Sequence, residues 1–201
     1  MLNKILLQPD IYQPFLRQLE NIFSEMDDSY QAATDYYGFS CDGCQDNCCL
    51  TRFSHYTLLE YLYVRQGYAE LNQKIQIQVR QKSKEVIYQT ALLLAEKKVV
   101  RLMCPLNDKG LCRLYMLRPM ICRLHGIPHE FQNPALNKKK YGPGCRTFTD
   151  KCAHKKYFIF DRTRFYLSIS VLEKKIRKAF NFNQKLKMTI AEMLYVPDQQ
   201  T

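Results

Sequence analysis

Long apolar runs are missing from this 201-residue chain. A membrane-spanning helix needs about 20 consecutive apolar residues, and the sequence contains no such stretch. The apolar run at the start of the chain is ended by Gln8, Pro9 and Asp10 before the hydrophobic core of a signal peptide could form. We therefore expect a cytoplasmic protein without a membrane span. With 46% hydrophobic residues, the chain is rich enough in apolar side chains to build a core.

The familiar catalytic motifs are also absent. The sequence has no Gly-rich phosphate loop, no Gly-x-Ser-x-Gly and no His-Glu-x-x-His. It has neither an internal repeat nor a low-complexity tract. The sequence therefore leaves open whether the protein is an enzyme and favours a role other than catalysis.

An even number of cysteines is lacking, since the chain has nine. Nine thiols cannot all pair within one chain, which disfavours a secreted domain held together by disulfides. In a reducing cytoplasm, clustered cysteines more often bind metal or carry out redox chemistry. The cysteines are therefore the first candidates for a functional site.

Charge is distributed unevenly along the chain. The net charge is +11, and residues 101–201 contain 20 basic and 7 acidic side chains, whereas residues 1–100 contain 10 and 12. A basic surface of this kind attracts an acidic protein or a nucleic acid, although a solvated helix surface is the simpler interpretation. Basic side chains can also offset the negative charge of metal-bound thiolates.

The hydrophobic pattern predicts a mainly α-helical single domain, residues 1–201, with a loop-rich cysteine module and room for one small β-hairpin. Apolar residues at three- and four-residue steps predict a helix over 13–37, ended by Gly38. Further helices are predicted from Thr57, over 68–98, and over 155–195 in two segments, 155–180 and 184–195. Residues 128–150 are predicted to form an irregular loop.

Nearly all of the cysteines lie in or beside predicted turns. Cys41 and Cys44 have the spacing of a metal knuckle, in which a tight turn brings two thiolates to one ion. Cys104 and Cys112 flank a predicted Asn107–Gly110 turn. Structural cysteines would instead be expected on apolar helix faces. The predicted ligands are Cys41, Cys44, Cys48, Cys49, Cys104, Cys112, Cys122 and Cys145, with His125 or Cys152 as further candidates.

Cys48 and Cys49 are adjacent, so their side chains are expected to diverge. This predicts either two nearby centres or one polynuclear centre. The cofactor is zinc or an iron–sulfur cluster, because both are bound by thiolates. The pattern does not decide between them, nor does it show which cysteines share a site.

The chain resembles the CxxCxxCC family of zinc- or iron-chelating domains over roughly residues 38–148. The resemblance depends on Cys41-x2-Cys44, Cys48-Cys49, Thr57 with Glu60, Cys112-Arg113-Leu114-Tyr115, and Arg118-Pro119 leading to Cys122-Arg123. Three residues separate Cys44 from Cys48, where the family name implies two. The resemblance implies metal chelation, and a similar cluster in flagellin lysine methylases makes an enzymatic role conceivable.

Three further residues are predicted to support the site. Arg118 and Arg123 could neutralise thiolates or hold the loop through backbone carbonyls, and Tyr115 is expected to pack against the site. The leading hypothesis is a metal-binding cysteine-cluster protein with a structural or redox-sensing role. The alternatives are an iron–sulfur oxidoreductase or protein-modifying enzyme, and a nucleic-acid-binding regulator that uses the basic C-terminal half.

Overall fold

A computed structural model describes residues 1–41, 44, 48–133 and 138–195. Within these residues the chain forms eight α-helices, one short 3-10 helix and two small antiparallel β-hairpins, so the predicted mainly helical class is confirmed. In chain order the elements are α1 (Leu2–Leu6), α2 (Pro9–Tyr37), the 3-10 helix (Cys48–Leu50), α3 (Leu58–Glu70), α4 (Gln73–Ala95), β1 (Asn107–Asp108), β2 (Leu111–Cys112), α5 (Met120–Leu124), β3 (His129–Asn133), β4 (Lys138–Gly142), α6 (Arg146–Cys152), α7 (Thr163–Ala179) and α8 (Ile190–Leu194).

The chain divides into two compact units, each built from two separate segments. The first unit comprises Met1–Asp46 and Met120–Phe182, and the second comprises Asn47–Pro119 and Asn183–Thr201. The nine cysteines are divided between the two units. Each unit is described by itself.

The first unit is organised around α2. This helix begins at Pro9, four residues before the predicted start, because Pro9 fits the first-turn position of a helix. It ends as predicted at Gly38, whose left-handed backbone closes the last turn. The helix packs against α5 and α7. The facing apolar side chains are buried and form the core of the unit: Leu16, Leu19, Phe23 and Met26 on α2, with Phe165, Ile169, Leu172 and Ile176 on α7.

The prediction of an irregular loop over residues 128–150 is wrong. Strands β3 and β4 pair in antiparallel register, with His129 opposite Gly142, and α6 follows directly. Lys138–Lys140, expected in a loop, begin β4. The strand pairing supplies backbone hydrogen bonds that a run of polar residues does not reveal by its hydropathy. The next helix, α7, begins at Thr163 rather than at residue 155.

The second unit contains α3, α4 and α8, and α8 packs against both of the others. The Thr57 hydroxyl accepts the backbone N–H of Glu60 at 3.1 Å, which confirms the predicted cap of α3. Gly67 does not end this helix. It continues to Glu70, and a new cap at Asn72 then starts α4. α4 runs without interruption through residues 82–84.

The hairpin predicted around residues 107–110 is present. Asn107 pairs with Cys112 and Asp108 with Leu111, and the Asn107 side chain accepts the backbone N–H of Gly110 at 3.1 Å. In the part of the chain that the structure describes, no helix is both long enough and apolar enough to cross a membrane.

Candidate metal centre

The two compact units divide the cysteines into two sets. Cys48, Cys49, Cys104 and Cys112 belong to the second unit. Cys41, Cys44, Cys122, Cys145 and Cys152 belong to the first unit. Among these nine residues Cys41 is exposed, Cys152 is buried, and the other seven are partly accessible.

In the second unit, Cys49 lies at the centre of its set. Its backbone carbonyl accepts the N–H of Cys104 at 2.8 Å, which fixes two segments of the chain side by side. Its thiol interacts with the thiols of both Cys104 and Cys48. Cys112 is close enough for the charge of Cys49 to raise its pKa, although burial is the larger cause of that increase. We call these four residues the second-unit thiol group.

The adjacent residues Cys48 and Cys49 were expected to point apart. They lie in the 3-10 helix Cys48–Leu50, and their thiols interact. With three residues per turn, successive side chains of a 3-10 helix diverge by about 120°. The two thiols therefore leave the helix in different directions, although they are close enough to interact.

Four neighbouring residues favour the thiolate form of Cys49. Hydrogen bonds from Cys104 and Cys48, together with Asn107 and the positive charge of Arg118, hold the pKa of Cys49 well below its usual range, to about 3. The Asn107 side chain is buried, and within the described residues its amide nitrogen makes no further hydrogen bond. That nitrogen is therefore available to donate to sulfur.

Arg118 and Tyr115 form a stacked pair beside the second-unit thiol group. The Arg118 guanidinium carbon lies 3.7 Å from the centre of the Tyr115 ring, and Nε donates to the Tyr115 carbonyl at 2.7 Å. Tyr115 itself is exposed. The stacking holds the guanidinium in a position where its charge lowers the pKa of both Cys49 and Cys112.

In the first unit, α6 positions two thiols. Cys145 is the N-cap of α6, and its Sγ accepts the backbone N–H of Phe148 at 3.4 Å. The Sγ of Cys44 lies 3.2 Å from the hydroxyl of Thr147. The start of a helix presents unpaired N–H groups, and here one of them is used to bond sulfur.

Tyr30 of α2 interacts with both Cys41 and Cys145. Burial raises the pKa of Tyr30 strongly, and negative charge on Cys41 and on Cys145 raises it further, so both thiols lie near this ring. The Tyr30 hydroxyl donates to the backbone carbonyl of His125 at 2.7 Å. The backbone N–H of Cys44 donates to the carbonyl of Cys41 at 3.1 Å, which closes the turn between them.

Close backbone packing holds Cys145 in place. Its N–H donates to the carbonyl of Gly126 at 2.9 Å, and a Cβ atom on Gly144 would lie only 2.7 Å from the same oxygen. Gly126 in turn faces Cys41, whose Sγ would be 3.9 Å from a Cβ at that position. Two glycines therefore allow the segment before α6 to approach the segment after α5.

Cys122 lies on α5, which packs against α2. The neighbouring Arg123 is buried, donates to Asp27 at 2.5 Å and lies over the Phe23 ring at 4.5 Å. Arg123 therefore anchors α5 to α2. We call Cys41, Cys44, Cys122 and Cys145 the first-unit thiol group.

Cys152 has a different environment from the other cysteines. It is buried at the end of α6, and its thiol donates to the Tyr37 carbonyl at 3.7 Å. The Lys155 ammonium donates to the same carbonyl at 2.7 Å. The contacts of Cys152 are those of a packed structural residue.

Four residues near the thiols were missed from the sequence: Tyr30, Asn107, Thr147 and Arg162. Arg162 is buried to 2% exposure, donates to the Leu124 carbonyl, and interacts electrostatically with Tyr30. Burial lowers its pKa to about 10, so it remains a cation near neutral pH. Single polar residues on otherwise ordinary helices and loops carry no spacing signal that could have singled them out.

The donor set suits a thiophilic metal. Zinc and iron–sulfur clusters are both held by four thiolates, and each unit offers four exposed or partly accessible thiols. Among the described residues, no three Cys, His, Asp or Glu side chains are already arranged to hold a metal ion.

Two groups of thiols on a helical frame define a cysteine-cluster protein. The chain belongs to the CxxCxxCC family, described as a "putative zinc- or iron-chelating domain", whose model matches residues 40–141. This confirms the resemblance inferred from the motifs and supports chelation of zinc or iron as the function of the domain. Neither the curated proteins nor the solved structures contain a match to the chain.

Proposed function

We propose that the protein chelates zinc or iron through its cysteine thiolates in the cytoplasm, and that the bound metal has a structural or redox-sensing role. The observation that supports this best is the set of polar contacts at the thiols: the Thr147 hydroxyl bonds Cys44, the Phe148 N–H donates to Cys145, and Asn107 interacts with Cys49. When bound, the metal supplies a cross-link between segments and, if it is an iron–sulfur cluster, a one-electron redox centre.

The origin of the ligands favours a structural contribution. In the second unit, the thiols come from the 3-10 helix, from the segment before β1 and from β2. In the first unit, they come from the segment after α2, from α5 and from the start of α6. Metal bound by such distant segments adds its binding free energy to folding, because the unfolded chain does not hold the thiols together.

Anaerobic purification followed by metal analysis and a visible absorption spectrum tests the proposal. Brown protein containing iron and sulfide identifies an iron–sulfur cluster, whereas colourless protein with stoichiometric zinc identifies a zinc protein. Protein that contains neither metal under anaerobic and aerobic conditions contradicts the proposal.

Two variants separate a structural from a sensing role. Loss of folding in Cys41→Ser and Cys122→Ser, followed by circular dichroism, supports a structural centre. Retained folding together with loss of a spectral response to oxidants supports sensing.

A second proposal concerns the partner of the basic half of the chain. Lys138 and Lys140 of β4 and Lys174, Lys175 and Lys178 of α7 are exposed within the first unit. An acidic protein or a nucleic acid would meet several cations there. Binding to labelled nucleic acid should then weaken steeply as salt rises, since bound cations are released from the phosphates. Salt-independent binding, or none at low salt, contradicts this second proposal.

A further inference from the structure

The first-unit and second-unit thiol groups each contain four cysteines. A closed site for zinc uses four protein ligands, and an iron–sulfur cluster is commonly held by four cysteines. The compact units assign Cys41, Cys44, Cys122 and Cys145 to one body and Cys48, Cys49, Cys104 and Cys112 to another. Resting on the proposed function, we infer that the protein holds two metal centres, one within each unit, and that these two sets of four cysteines are their ligands.

The contacts within the second-unit thiol group support the assignment. The N–H of Cys104 donates to the carbonyl of Cys49 at 2.8 Å, and the N–H of Asn107 donates to the carbonyl of Cys104 at 2.9 Å. Asn107 in turn pairs with Cys112 in the hairpin, so these backbone contacts connect three of the four cysteines. The buried amide nitrogen of Asn107, opposite Cys112 in the hairpin, is left to donate to the thiolate. A donor aimed at sulfur is the outer support that metal-bound thiolates require.

The first-unit thiol group has its own, separate supports. Tyr30 interacts with Cys41 and Cys145, Thr147 lies 3.2 Å from Cys44, and the first turn of α6 donates to Cys145. Tyr30 also donates to the carbonyl of His125, three residues beyond Cys122 on the chain. All of these contacts lie within the first unit, so this group does not depend on ligands from the second.

Charge compensation also differs between the groups. Each centre of four thiolates would carry excess negative charge, and a nearby guanidinium offsets it. In the second unit this is Arg118, held against Tyr115. In the first unit, the charge of the buried Arg162 acts on Tyr30, the residue that interacts with Cys41.

Cys152 is excluded from both centres. It is buried, and its thiol donates to the carbonyl of Tyr37 rather than joining Cys145 at the opposite end of the same short helix. It provides a matched control, because Cys152→Ser removes a thiol from the same unit without removing a ligand.

The test counts metal centres per chain by native mass spectrometry of anaerobically purified full-length protein. Two centres are expected in the wild type and in Cys152→Ser, one in Cys112→Ser, one in Cys145→Ser, and none in the double variant. A single centre in the wild type that disappears in both single variants would overturn the inference while leaving metal chelation intact. Wild-type protein without any metal would instead contradict the proposed function itself.

A second measurement does not depend on whether the variants fold. Wild-type protein is treated with increasing chelator, alkylated, digested and analysed by peptide mass spectrometry. The eight ligand thiols should lose protection as two sets of four, with Cys48, Cys49, Cys104 and Cys112 behaving as one set. The inference would be contradicted if cysteines from both groups became open to alkylation as one set. It would also be contradicted if all eight became open together upon loss of a single metal centre.

Discussion

The sulfur atom of Cys44 lies 3.2 Å from the hydroxyl oxygen of Thr147, and 103 residues separate the two along the chain. Thr147 follows Cys145 by two residues at the start of α6. One helix turn therefore supplies a proposed ligand, Cys145, and a hydroxyl that supports a second ligand, Cys44. A hydroxyl has both a donor and acceptor lone pairs, so it can donate to a metal-bound sulfur at Cys44.

Replacement of this hydroxyl provides the first prediction. Thr147→Val keeps the shape of the side chain and removes the hydrogen bond to Cys44. Loss of a partner in the outer shell of a metal site typically lowers metal affinity about 10–100-fold. We expect a decrease in that range for one of the two metal centres, measured by competition with a chromophoric chelator.

Thr149→Val is the matched control for this experiment. Thr149 lies on the same helix, but its hydroxyl bonds the backbone carbonyl of Cys145 at 3.2 Å rather than a sulfur atom. Its replacement should leave metal affinity within about threefold of the wild type, since surface changes have small effects. Equal losses in both variants would show that α6 stability, not the Cys44 contact, governs the affinity.

The second prediction concerns the pair formed by Arg123 and Asp27. The Arg123 side chain is 3% exposed, whereas that of Asp27 is 39% exposed. Asp27→Asn leaves a buried cation without its carboxylate, but Arg123→Met leaves a carboxylate that water can reach. We expect Asp27→Asn to lower the free energy of unfolding by about 2–4 kcal/mol and Arg123→Met by about 1–2 kcal/mol.

Urea unfolding of the two single variants and the double variant gives this comparison. The double variant should lose less than the sum of the single losses, because the buried cation that loses its carboxylate in Asp27→Asn is then absent. Additive losses, or a larger loss for Arg123→Met, would show that the ion pair does not anchor α5 to α2.

The sequence predicted best where a local rule decides the structure. Thr57 caps α3 through a contact three residues away, Gly38 closes α2, and the turn after Asn107 makes a hairpin. The eight candidate ligands could be picked out because most of them lie near turns. Such signals depend on neighbours in the chain, so one sequence is sufficient to read them.

Features that depend on distant contacts could not be predicted. Nothing in the sequence near residue 147 shows that Thr147 contacts Cys44. Arg162 is one of 30 basic residues, and its spacing from other residues does not mark it as buried. The sorting of cysteines into two sets follows from which segments pack together. Cys44 and Cys48 are close in sequence but belong to different compact units, which their spacing does not show.

The third prediction concerns stability at acid pH. Burial and the nearby charge of Arg162 lower the pKa of His129 from its ordinary 6.5 to about 4. The folded protein therefore binds this proton less readily than the unfolded chain. The contribution of neutral His129 to stability is fully present above pH 6.5 and is lost as pH falls towards 4.

Measurement of the melting temperature between pH 7 and pH 4 tests this. His129→Gln should flatten part of the decline in stability, since glutamine takes up no proton. His154→Gln, at an exposed position after α6, is the control and should follow the wild-type curve. Identical pH profiles for His129→Gln and the wild type would contradict the prediction.

The fourth prediction uses two glycines with nearly the same backbone conformation. Gly144 has φ +90° and Gly110 has φ +91°, so alanine is strained at both positions. At Gly110 an added Cβ meets no atom within 4 Å, whereas at Gly144 it would lie 2.7 Å from the carbonyl oxygen of Gly126. Only Gly144→Ala therefore forces apart the segments that position Cys145.

Gly110→Ala should cost about 1 kcal/mol of unfolding free energy, the penalty for an alanine in a left-handed conformation. Gly144→Ala should cost at least about 2 kcal/mol more, because backbone must move. It should also reduce the metal content of the first-unit centre, whereas Gly110→Ala retains both centres. Urea unfolding and native mass spectrometry of the two variants measure these effects. Equal destabilisation with unchanged metal content would show that the contact between Gly144 and Gly126 does not position Cys145.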